Sequence, residues 1–315
     1  NRTAAMVDPR SALNDMSNAV CVVTGANSGI GKATAKELAR LGARVVMVCR
    51  NERRGRDAQA EIRAAAELAH PSRSDPVDLR IADLAVQEEV YHLGETIRAE
   101  YDRLDVLVNN AGVFLDTRHE TADGIEATLA INHLAPFLLT HLVLPRLRDT
   151  AGRVGQSRII TVSSRAHRGA RIDFDDLNAE ASYNPFQAYA QSKLANILFT
   201  HELSRRLQDD GVVANAVHPG VVKTNIWRGT GWMSRIARLF SWFYKRPEEG
   251  AQSVVYLAAS PEVSDVTGQY FQETEVVNPS PEAYDEKTET RLWRVSRALT
   301  GLAETDPPGP VQGEE

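Results

Sequence analysis

Short apolar runs of strand length recur along the chain and alternate with segments whose apolar residues follow a helical period. The runs are rich in Val and Ile and mostly lack alternating polar residues, as expected for strands covered by helices on both faces. They lie at 19–24, 44–49, 78–81, 105–110, 158–163 and 212–217, with a weaker run at 268–271. This alternation predicts a parallel sheet with right-handed crossovers. We therefore expect one α/β domain over residues 18–302, a Rossmann-type doubly wound sheet of about seven strands with helices on both faces.

The composition is that of an ordinary soluble protein. Of the 315 residues, 43% are hydrophobic and 25% are charged, and the net charge is -6. No basic excess indicates nucleic acid binding, and no apolar run is expected to reach the roughly 18–20 residues of a membrane span. Cys21 and Cys49 lie in apolar runs and are interpreted as small buried side chains, not as disulfide or zinc ligands. We expect no metal site, a cytoplasmic location, and flexible ends at 1–17 and 303–315.

A glycine-rich turn directly follows the first apolar run. It consists of Thr24, Gly25, Ala26, Asn27, Ser28, Gly29, Ile30 and Gly31. Three glycines allow a tight turn and a close backbone approach, and the helix that follows offers N–H groups and a positive dipole end to a pyrophosphate. The turn could be structural only, but its place between the first strand and the first helix favours a dinucleotide site.

The end of the second apolar run indicates which dinucleotide would bind. NAD enzymes carry an acidic residue there, which accepts hydrogen bonds from the ribose hydroxyls. Here Cys49 is followed by Arg50, whose guanidinium can bind a 2′-phosphate at two points. Arg53 and Arg54 add positive charge nearby, although Arg54 fits the solvated start of a helix. We predict NADP(H) as the preferred cofactor and leave NAD(H) open.

Two side chains on one helix provide the strongest chemical signal. Tyr189 and Lys193 are four residues apart and share one face of a helix whose first turn fits Pro185. A free tyrosine has a pKa of about 10, too high for an efficient base near neutral pH, and a nearby ammonium lowers it. Ser163 and Ser164 end the fifth apolar run, at the sheet edge where such folds bind ligands. A serine there can hold a substrate oxygen in line with Tyr189. Without the serines and the glycine turn, a Tyr–Lys pair at this spacing could simply be exposed on a helix surface.

Taken in order, these motifs resemble the short-chain dehydrogenase/reductase family. The glycine turn is similar to the family's T-G-x-x-x-G-x-G pattern, residues 109–112 to its N-N-A-G motif, and residues 189–193 to its Y-x-x-x-K motif. Within the family, four segments resemble the retinol-dehydrogenase-like branch, namely residues 24–50, 187–206, 247–252 and 291–293. The segment between Ser164 and Tyr189 is longer than in most of the wider family, a length that suits this branch.

The resemblance implies catalytic roles for four residues. Tyr189 is the general acid/base, Lys193 tunes the pKa of Tyr189, and Ser164 holds the substrate oxygen. Asn132 holds a water in the proton relay, although a buried amide with ordinary core partners is the alternative. If Ser163 and not Ser164 faces the substrate, the serine assignment shifts by one residue.

The resemblance also implies which residues contact the cofactor. They are Gly25, Asn27, Ser28, Gly29, Ile30, Gly31, Arg50, Asp83, Leu84, Asn110, Ala111, Gly112, Tyr189, Lys193, Pro219, Gly220, Val222 and Thr224. Asp83 could also cap the helix that follows it. The structural role of residues 109–112 is to lock a strand end, and the small Ala111 and Gly112 leave room for the cofactor.

Residues 227–244 combine large aromatic side chains with basic residues at helical spacing. Three interpretations are open, namely a substrate lid around 225–246, an oligomer interface, or a helix on a membrane surface. The lid is favoured because the segment directly follows the nicotinamide contact. We therefore predict a bulky lipophilic substrate, and expect a homo-oligomer with a monomer left open. Peripheral membrane contact is also left open.

These features together predict an NADP(H)-dependent oxidoreductase that interconverts an alcohol and a carbonyl by hydride transfer. The alternative from another class is a catalytically inactive NADP(H)-binding scaffold or regulator. Such proteins usually lose the Tyr, Lys or Ser, and all three are present here. The different glycine spacing disfavours an epimerase or dehydratase of the extended branch.

Overall fold

The computed structural model describes residues 13–71, 76–220, 227–228 and 246–302. Its main sheet has eight strands in the order β10-β9-β7-β6-β4-β1-β2-β3, and β5 pairs with β8 separately. The strands are β1 (Val20–Thr24), β2 (Arg44–Cys49), β3 (Val77–Ile81), β4 (Val106–Asn109), β5 (Phe114–Leu115), β6 (Ser157–Val162), β7 (Val212–His218), β8 (Trp227–Arg228), β9 (Tyr270–Gln272) and β10 (Glu275–Val276). The main sheet is parallel except for the β9–β10 pair. The predicted doubly wound sheet is confirmed.

Helices cover both faces of the sheet. They are α1 (Gly29–Arg40), α2 (Glu52–Ala69), α3 (Gln87–Glu100), α4 (Ala127–Leu129), α5 (Ala135–Val154), α6 (Pro185–Arg206), α7 (Pro247–Ala259) and α8 (Glu286–Leu299). On one face, α1, α2 and α7 share a buried cluster with Val23 and the free thiols Cys21 and Cys49. On the other face, α3, α5 and α6 pack against residues such as Val20 and Val22. Since both strand faces are buried, the strands are apolar throughout.

The strand order reverses at β1. Its neighbours are β2 on one side and β4 on the other, so that Val22 lies opposite both Val46 and Leu107. Open α/β sheets bind ligands outside the carboxyl ends of the strands at such a point. The turn after Thr24 and the segment after Asn109 therefore meet where a binding site is expected.

The longest helix, Ala127–Val154, consists of α4, a π-helical turn at Ala130–Leu134, and α5. It is long and apolar enough to cross a membrane, whereas we expected no such run from the sequence. Within the fold, 83% of its apolar window is buried, and Leu138 and Leu147 belong to the cluster on one face of the sheet. A core helix passes the same test of length and composition, so the finding is weak evidence for a membrane span.

The structure differs from the sequence-based expectations at two further places. Residues N-terminal of 18 take part in the fold, because the Asn14 N–H donates to the Ala259 carbonyl at 3.0 Å and Met16 is buried. The unpredicted pair β5–β8 places Phe114 opposite Trp227 along the backbone. Most of the predicted lid, residues 1–12 of the flexible end predicted at 1–17, and the flexible end predicted at 303–315 lie outside the described residues.

Buried polar contacts attach the C-terminal helix α8 to the interior. His133 Nε2, in the π turn, lies 2.8 Å from Ser296 Oγ. The buried Glu289 places Oε1 3.1 Å from His201 Nδ1. Burial lowers the pKa of His133 to about 4, and the Asn196 side chain opposes this shift in part. His133 is therefore neutral in the folded protein at physiological pH.

The buried, neutral His133 should make the protein less stable in mild acid. The unfolded chain takes up this proton near pH 6.5 and the folded chain only near pH 4, so stability is lost as the pH falls through this window. We expect the wild type to lose about 2 kcal/mol more than His133→Gln in the free energy of unfolding between pH 7 and pH 5, measured with urea. His92→Gln is the control, since that side chain is 72% exposed. Equal pH slopes for His133→Gln and the wild type would contradict the prediction.

Candidate active site

A cavity of about 570 Å³ opens at the carboxyl ends of the parallel strands. Pockets for small molecules and cofactors commonly have this size. The predicted site residues that line it are Gly25, Asn27, Ser28, Gly29, Ile30, Gly31, Arg50, Asp83, Leu84, Asn110, Ala111, Gly112, Ser164, Tyr189, Lys193, Pro219 and Gly220. Among the described residues, Asn132 does not line the cavity. Val222 and Thr224 are not among the residues that the structure describes.

The glycine turn between β1 and α1 excludes side chains where the backbone must come close. Gly25 has a φ of +68°, in the left-handed region that favours glycine. A Cβ at Gly31 would lie 2.3 Å from Asn110 Nδ2 and 2.5 Å from the Gly25 carbonyl oxygen. Ser28 begins α1 without a side-chain hydrogen bond, and the first turn carries no acidic residue. The first N–H groups of α1 are thus left to an anionic ligand.

Thr24, at the end of β1, holds the segment after β4 in place. Its hydroxyl accepts hydrogen bonds from the N–H groups of Asn110 and Ala111 at 2.9 and 3.0 Å. Its carbonyl accepts a hydrogen bond from Asn110 Nδ2 at 2.7 Å. Asn109 Nδ2 donates to Thr140 Oγ1 of α5 at 3.0 Å. The two asparagines therefore lock the end of β4 against β1 on one side and α5 on the other.

Charged side chains surround the end of the cavity beyond β2 and β3. Arg50 Nη1 lies 3.6 Å from Asp83 Oδ2, and both residues line the cavity. Arg54 is exposed in the first turn of α2, as the sequence suggested, and it also lines the cavity. Because α2 begins directly after β2, Arg54 lies at the edge of the cavity. Asp83 Oδ1 accepts a hydrogen bond from the Ala85 N–H at 3.0 Å, so it closes a short turn before α3 and does not cap the helix.

Tyr189 and Lys193 reach the cavity from the first turns of α6. Asn184 caps this helix by accepting hydrogen bonds from two N–H groups, and Pro185 occupies the first turn, as the sequence suggested. Lys193 Nζ donates to the Val162 carbonyl at 3.1 Å and lies 5.6 Å from the centroid of the Tyr189 ring. The helix spacing thus brings the phenol and the ammonium to one end of the cavity.

Burial controls the protonation of this pair. It raises the pKa of Tyr189 to about 12, with hydrogen bonding to Ser164 opposing the shift, and it lowers the pKa of Lys193 to about 8. The net shift of the Tyr189 pKa is opposite to our expectation that Lys193 would lower it, because lost hydration outweighs the hydrogen bond to Ser164. At neutral pH Tyr189 is a phenol, and most Lys193 side chains are charged.

The two strand-end serines have different partners. Ser163 is buried, and its hydroxyl donates to the Lys193 carbonyl at 2.7 Å, which attaches the end of β6 to α6. Ser164 Oγ accepts a hydrogen bond from the Ala166 N–H at 3.2 Å and bonds to Tyr189. Since the Ser163 hydroxyl is occupied by the backbone, Ser164 is the serine that can hold a substrate oxygen.

Asn132 is completely buried behind the cavity, in the π turn. Its Oδ1 accepts a hydrogen bond from the Val113 N–H at 2.7 Å, and its Nδ2 donates to the Val113 carbonyl at 2.9 Å and to Ser192 Oγ at 3.0 Å. Its side chain therefore has the satisfied partners of a core amide and ties the segment after β4 to α6.

An aromatic wall that no motif indicated lies beside Tyr189. The Phe114 ring is 5.3 Å from the Phe186 ring and 5.6 Å from the Tyr189 ring, centroid to centroid. Phe114, Phe186 and Ile131 all line the cavity, and Phe186 is 51% exposed. Isolated apolar residues carry no spacing signal, so only the tertiary structure could reveal this wall.

The lining fits a phosphorylated dinucleotide in an extended arrangement. Arg50 and Arg54 supply positive charge at one end, the glycine turn and the α1 N-terminus lie in the middle, and Tyr189 and Lys193 lie at the other end. A Cβ at Gly31 would collide with the Asn110 side chain and the Gly25 backbone, so the turn in the middle keeps its shape only with glycine there. The cavity thus has the charge distribution and the backbone clearance that such a cofactor needs.

Comparisons with known proteins agree with this geometry. The family model for short chain dehydrogenase matches residues 19–232. Retinol dehydrogenase 14 from Homo sapiens is 46% identical over 292 residues, covering 89% of this chain and 86% of that protein. Polyprenol dehydrogenase from Mus musculus is 42% identical over 294 residues, covering 92% and 86%. A short chain dehydrogenase from Burkholderia cenocepacia, crystallised in complex with NADP, is similar with a TM-score of 0.63 and 26% identity, covering 82% of this chain and 97% of that one.

The close approach at Gly31 predicts that Gly31→Ala weakens cofactor binding. The added Cβ must displace the Asn110 side chain or the Gly25 carbonyl, which distorts the turn. We expect the Kd for NADPH, measured by fluorescence titration, to rise roughly tenfold or more, since each lost charge-assisted hydrogen bond is worth about that much. Gly152→Ala is the matched control, because nothing lies within 4 Å of a Cβ there. Wild-type affinity in Gly31→Ala would show that the turn tolerates a side chain.

Proposed function

Since this chain belongs to the short-chain dehydrogenase/reductase family, in its retinol-dehydrogenase-like branch, we propose that it interconverts an alcohol and a carbonyl on a bulky lipophilic substrate with NADP(H). One observation carries the proposal: Ser164, Tyr189 and Lys193 converge at one end of a cavity whose other end is cationic. Because all three groups are retained, a catalytically inactive scaffold is the weaker alternative.

Ser164 and Tyr189 hold the substrate oxygen between two hydroxyl groups. The pKa of Tyr189, raised to about 12, keeps Oη protonated at neutral pH, so this phenol can donate its proton to a carbonyl oxygen during reduction. In oxidation, Tyr189 first releases its own proton to solvent, the positive charge of Lys193 favours the resulting phenolate, and the phenolate Oη then takes the proton of the alcohol. When bound, the nicotinamide ring supplies or accepts the hydride.

Asn132 supports this chemistry from behind the cavity. A Cβ at Gly112 would lie 3.3 Å from Asn132 Oδ1 and 3.4 Å from Lys193 Nζ, so both groups border one small space. The π turn around Asn132 changes the helical hydrogen-bond pattern, a feature frequent at functional sites. This arrangement supports a relay in which a water held beside Asn132 exchanges protons with Lys193.

Arg50 and Arg54 support a preference for NADP(H) over NAD(H). Both line the end of the cavity where the sequence places the adenosine ribose. Cys49 and Arg50 stand at the end of β2, where NAD enzymes carry an acidic residue, so no carboxylate at this position repels a 2′-phosphate. Asp83 holds the Arg50 guanidinium at the cavity edge through a partly exposed ion pair of 3.6 Å. Such a pair is weak and leaves the guanidinium able to bind a 2′-phosphate.

The aromatic wall supports a lipophilic substrate. Phe114 is buried, while the half-exposed Phe186 offers its ring to a bound molecule beside Tyr189. The similar proteins from Homo sapiens and Mus musculus are named for retinol and polyprenol, two lipophilic alcohols. The cytoplasmic location, the peripheral membrane contact and the homo-oligomeric state stay predictions from the sequence.

Loss of the Tyr189 hydroxyl tests the proposed reaction. NADPH oxidation is measured with aliphatic, steroid and retinoid aldehydes and ketones, and Tyr189→Phe is compared with the wild type on the best substrate. We expect kcat to fall at least about a hundredfold, the usual contribution of a general acid, while the Kd for NADPH changes less than about twofold. Tyr183→Phe, which removes a hydroxyl that donates to the Leu115 carbonyl, is the control for loss of a tyrosine hydroxyl elsewhere. NADPH binding without turnover of any carbonyl would favour the scaffold alternative.

Replacement of Arg50 tests the choice of cofactor. Without the guanidinium the 2′-phosphate loses a charge-assisted partner, so Arg50→Gln should raise the Kd for NADPH by roughly tenfold or more and leave that for NADH nearly unchanged. Arg53→Gln serves as the matched control, because Arg53 follows the same strand but is not among the described residues that line the cavity. A wild-type preference for NADH would refute the assignment.

A further inference from the structure

The turn after Ser164 is built around a buried histidine. His167 is 0% exposed, and its ring lies 5.0 Å from the Tyr270 ring in an edge arrangement. The His167 N–H donates to the Ser164 carbonyl at 3.1 Å, and His167 Nδ1 lies 2.6 Å from the same oxygen. On the other side of the ring, the Ser280 N–H donates to His167 Nε2 at 3.1 Å. Both ring nitrogens are thus used.

These partners determine where the imidazole carries its proton. A carbonyl oxygen can only accept a hydrogen bond, so Nδ1 beside the Ser164 carbonyl must carry a hydrogen. A backbone N–H can only donate, so Nε2 opposite Ser280 must be unprotonated. His167 is therefore a neutral imidazole in the Nδ1–H tautomer. Added protonation would turn Nε2 into a donor that faces another donor.

The residues bonded to this ring join the catalytic turn to a C-terminal segment, residues 277–284. Arg168 Nη2 donates to the Asn278 carbonyl at 3.1 Å, a second link from the same turn. His201 Nδ1, on α6, lies 2.9 Å from the Ala283 carbonyl. The family model ends at residue 232, so this segment lies outside the part that matches the wider family and yet contacts the turn that carries Ser164.

We propose that His167 is a positioning residue, which fixes the Ser164 backbone through Nδ1–H and anchors it to residues 277–284 through Nε2. This inference rests on the proposed function, in which Ser164 holds the substrate oxygen. It assigns His167 no contact with the substrate or the cofactor. Its effect is on the orientation of Ser164 relative to Tyr189, and it operates only while the ring is neutral.

The surroundings of His167 keep the ring neutral at physiological pH. Burial lowers its pKa, and the positive charge of Arg168 adds to this, whereas the bond to the Ser164 carbonyl and the charge of Glu282 oppose it. Tyr270 packs on the ring without changing its charge balance, because burial raises the pKa of that phenol to about 12. Acid should therefore break the Ser280 contact and lower catalytic efficiency.

Two substitutions separate the contacts of the ring. The amide of His167→Asn can still donate to the Ser164 carbonyl but does not reach Ser280, while His167→Gln can accept from Ser280 but loses the donor to Ser164. We expect kcat/KM for the carbonyl substrate to fall roughly tenfold in His167→Gln, the value of one lost buried hydrogen bond, and less in His167→Asn. The Kd for NADPH should stay within about twofold of the wild type in both. Tyr270→Phe, which keeps the ring against His167, is the packing control and should retain wild-type kcat/KM.

The pH profile provides a readout that a merely structural residue would not change. The wild type should lose kcat/KM as the pH falls below the ordinary histidine range, and His167→Asn should lack this loss. If His167→Gln keeps wild-type kcat/KM while Ser164→Ala is inactive, the inference is overturned and the proposed function stands. A fully active Ser164→Ala would contradict both.

Nitrogen-15 NMR of the histidine rings tests the tautomer without any substitution. The resonances of His167 are assigned as those that disappear in His167→Gln or, should that variant not fold, in His167→Asn. We expect a protonated Nδ1 and an unprotonated Nε2 at neutral pH. An Nε2–H tautomer or a charged ring at pH 7 would overturn the inference.

Discussion

The hydrogen bonds around Thr24 hold together the two halves of the sheet edge on which the site is built. The Thr24 hydroxyl and carbonyl accept three hydrogen bonds from Asn110 and Ala111, so the ends of β1 and β4 cannot move apart. This closeness is the reason why Gly31 has no space for a Cβ. The close backbone spacing beside the cavity therefore results from hydrogen bonding between the strand ends, and glycine is the residue type that tolerates this spacing.

Buried polar side chains form a frame behind the reactive groups. Asn132 bonds Val113 and Ser192, and Ser163 bonds the Lys193 carbonyl, so each ties a different segment to α6. Burial of polar groups is tolerated because they have hydrogen-bond partners. The same burial raises the pKa of Tyr189, which keeps the phenol protonated, and lowers the pKa of Lys193. The packing that positions the pair therefore also sets its acid–base properties.

The sequence was sufficient for features that repeat or that have a fixed spacing. Buried strands on both faces must be continuously apolar, and the glycine turn and the Tyr189–Lys193 pair follow from local geometry. What it could not supply were properties set by neighbours from distant parts of the chain. Arg54 faces the cavity because of where α2 starts, Phe186 meets Phe114 only in the fold, and the net pKa shift of Tyr189 depends on how much water the core excludes.

The reversal of strand order at β1 has a consequence for how the chain folds during its synthesis on the ribosome. The Thr24 hydroxyl also donates to the Val108 carbonyl, a contact that spans 84 positions of the chain. Closing so long a loop carries an entropic cost that local helix formation does not. Until Asn110 has been synthesised, β1 has only β2 beside it and the glycine turn has no partner to shape it. The glycine turn is therefore synthesised long before the strand-end contacts that shape it can form.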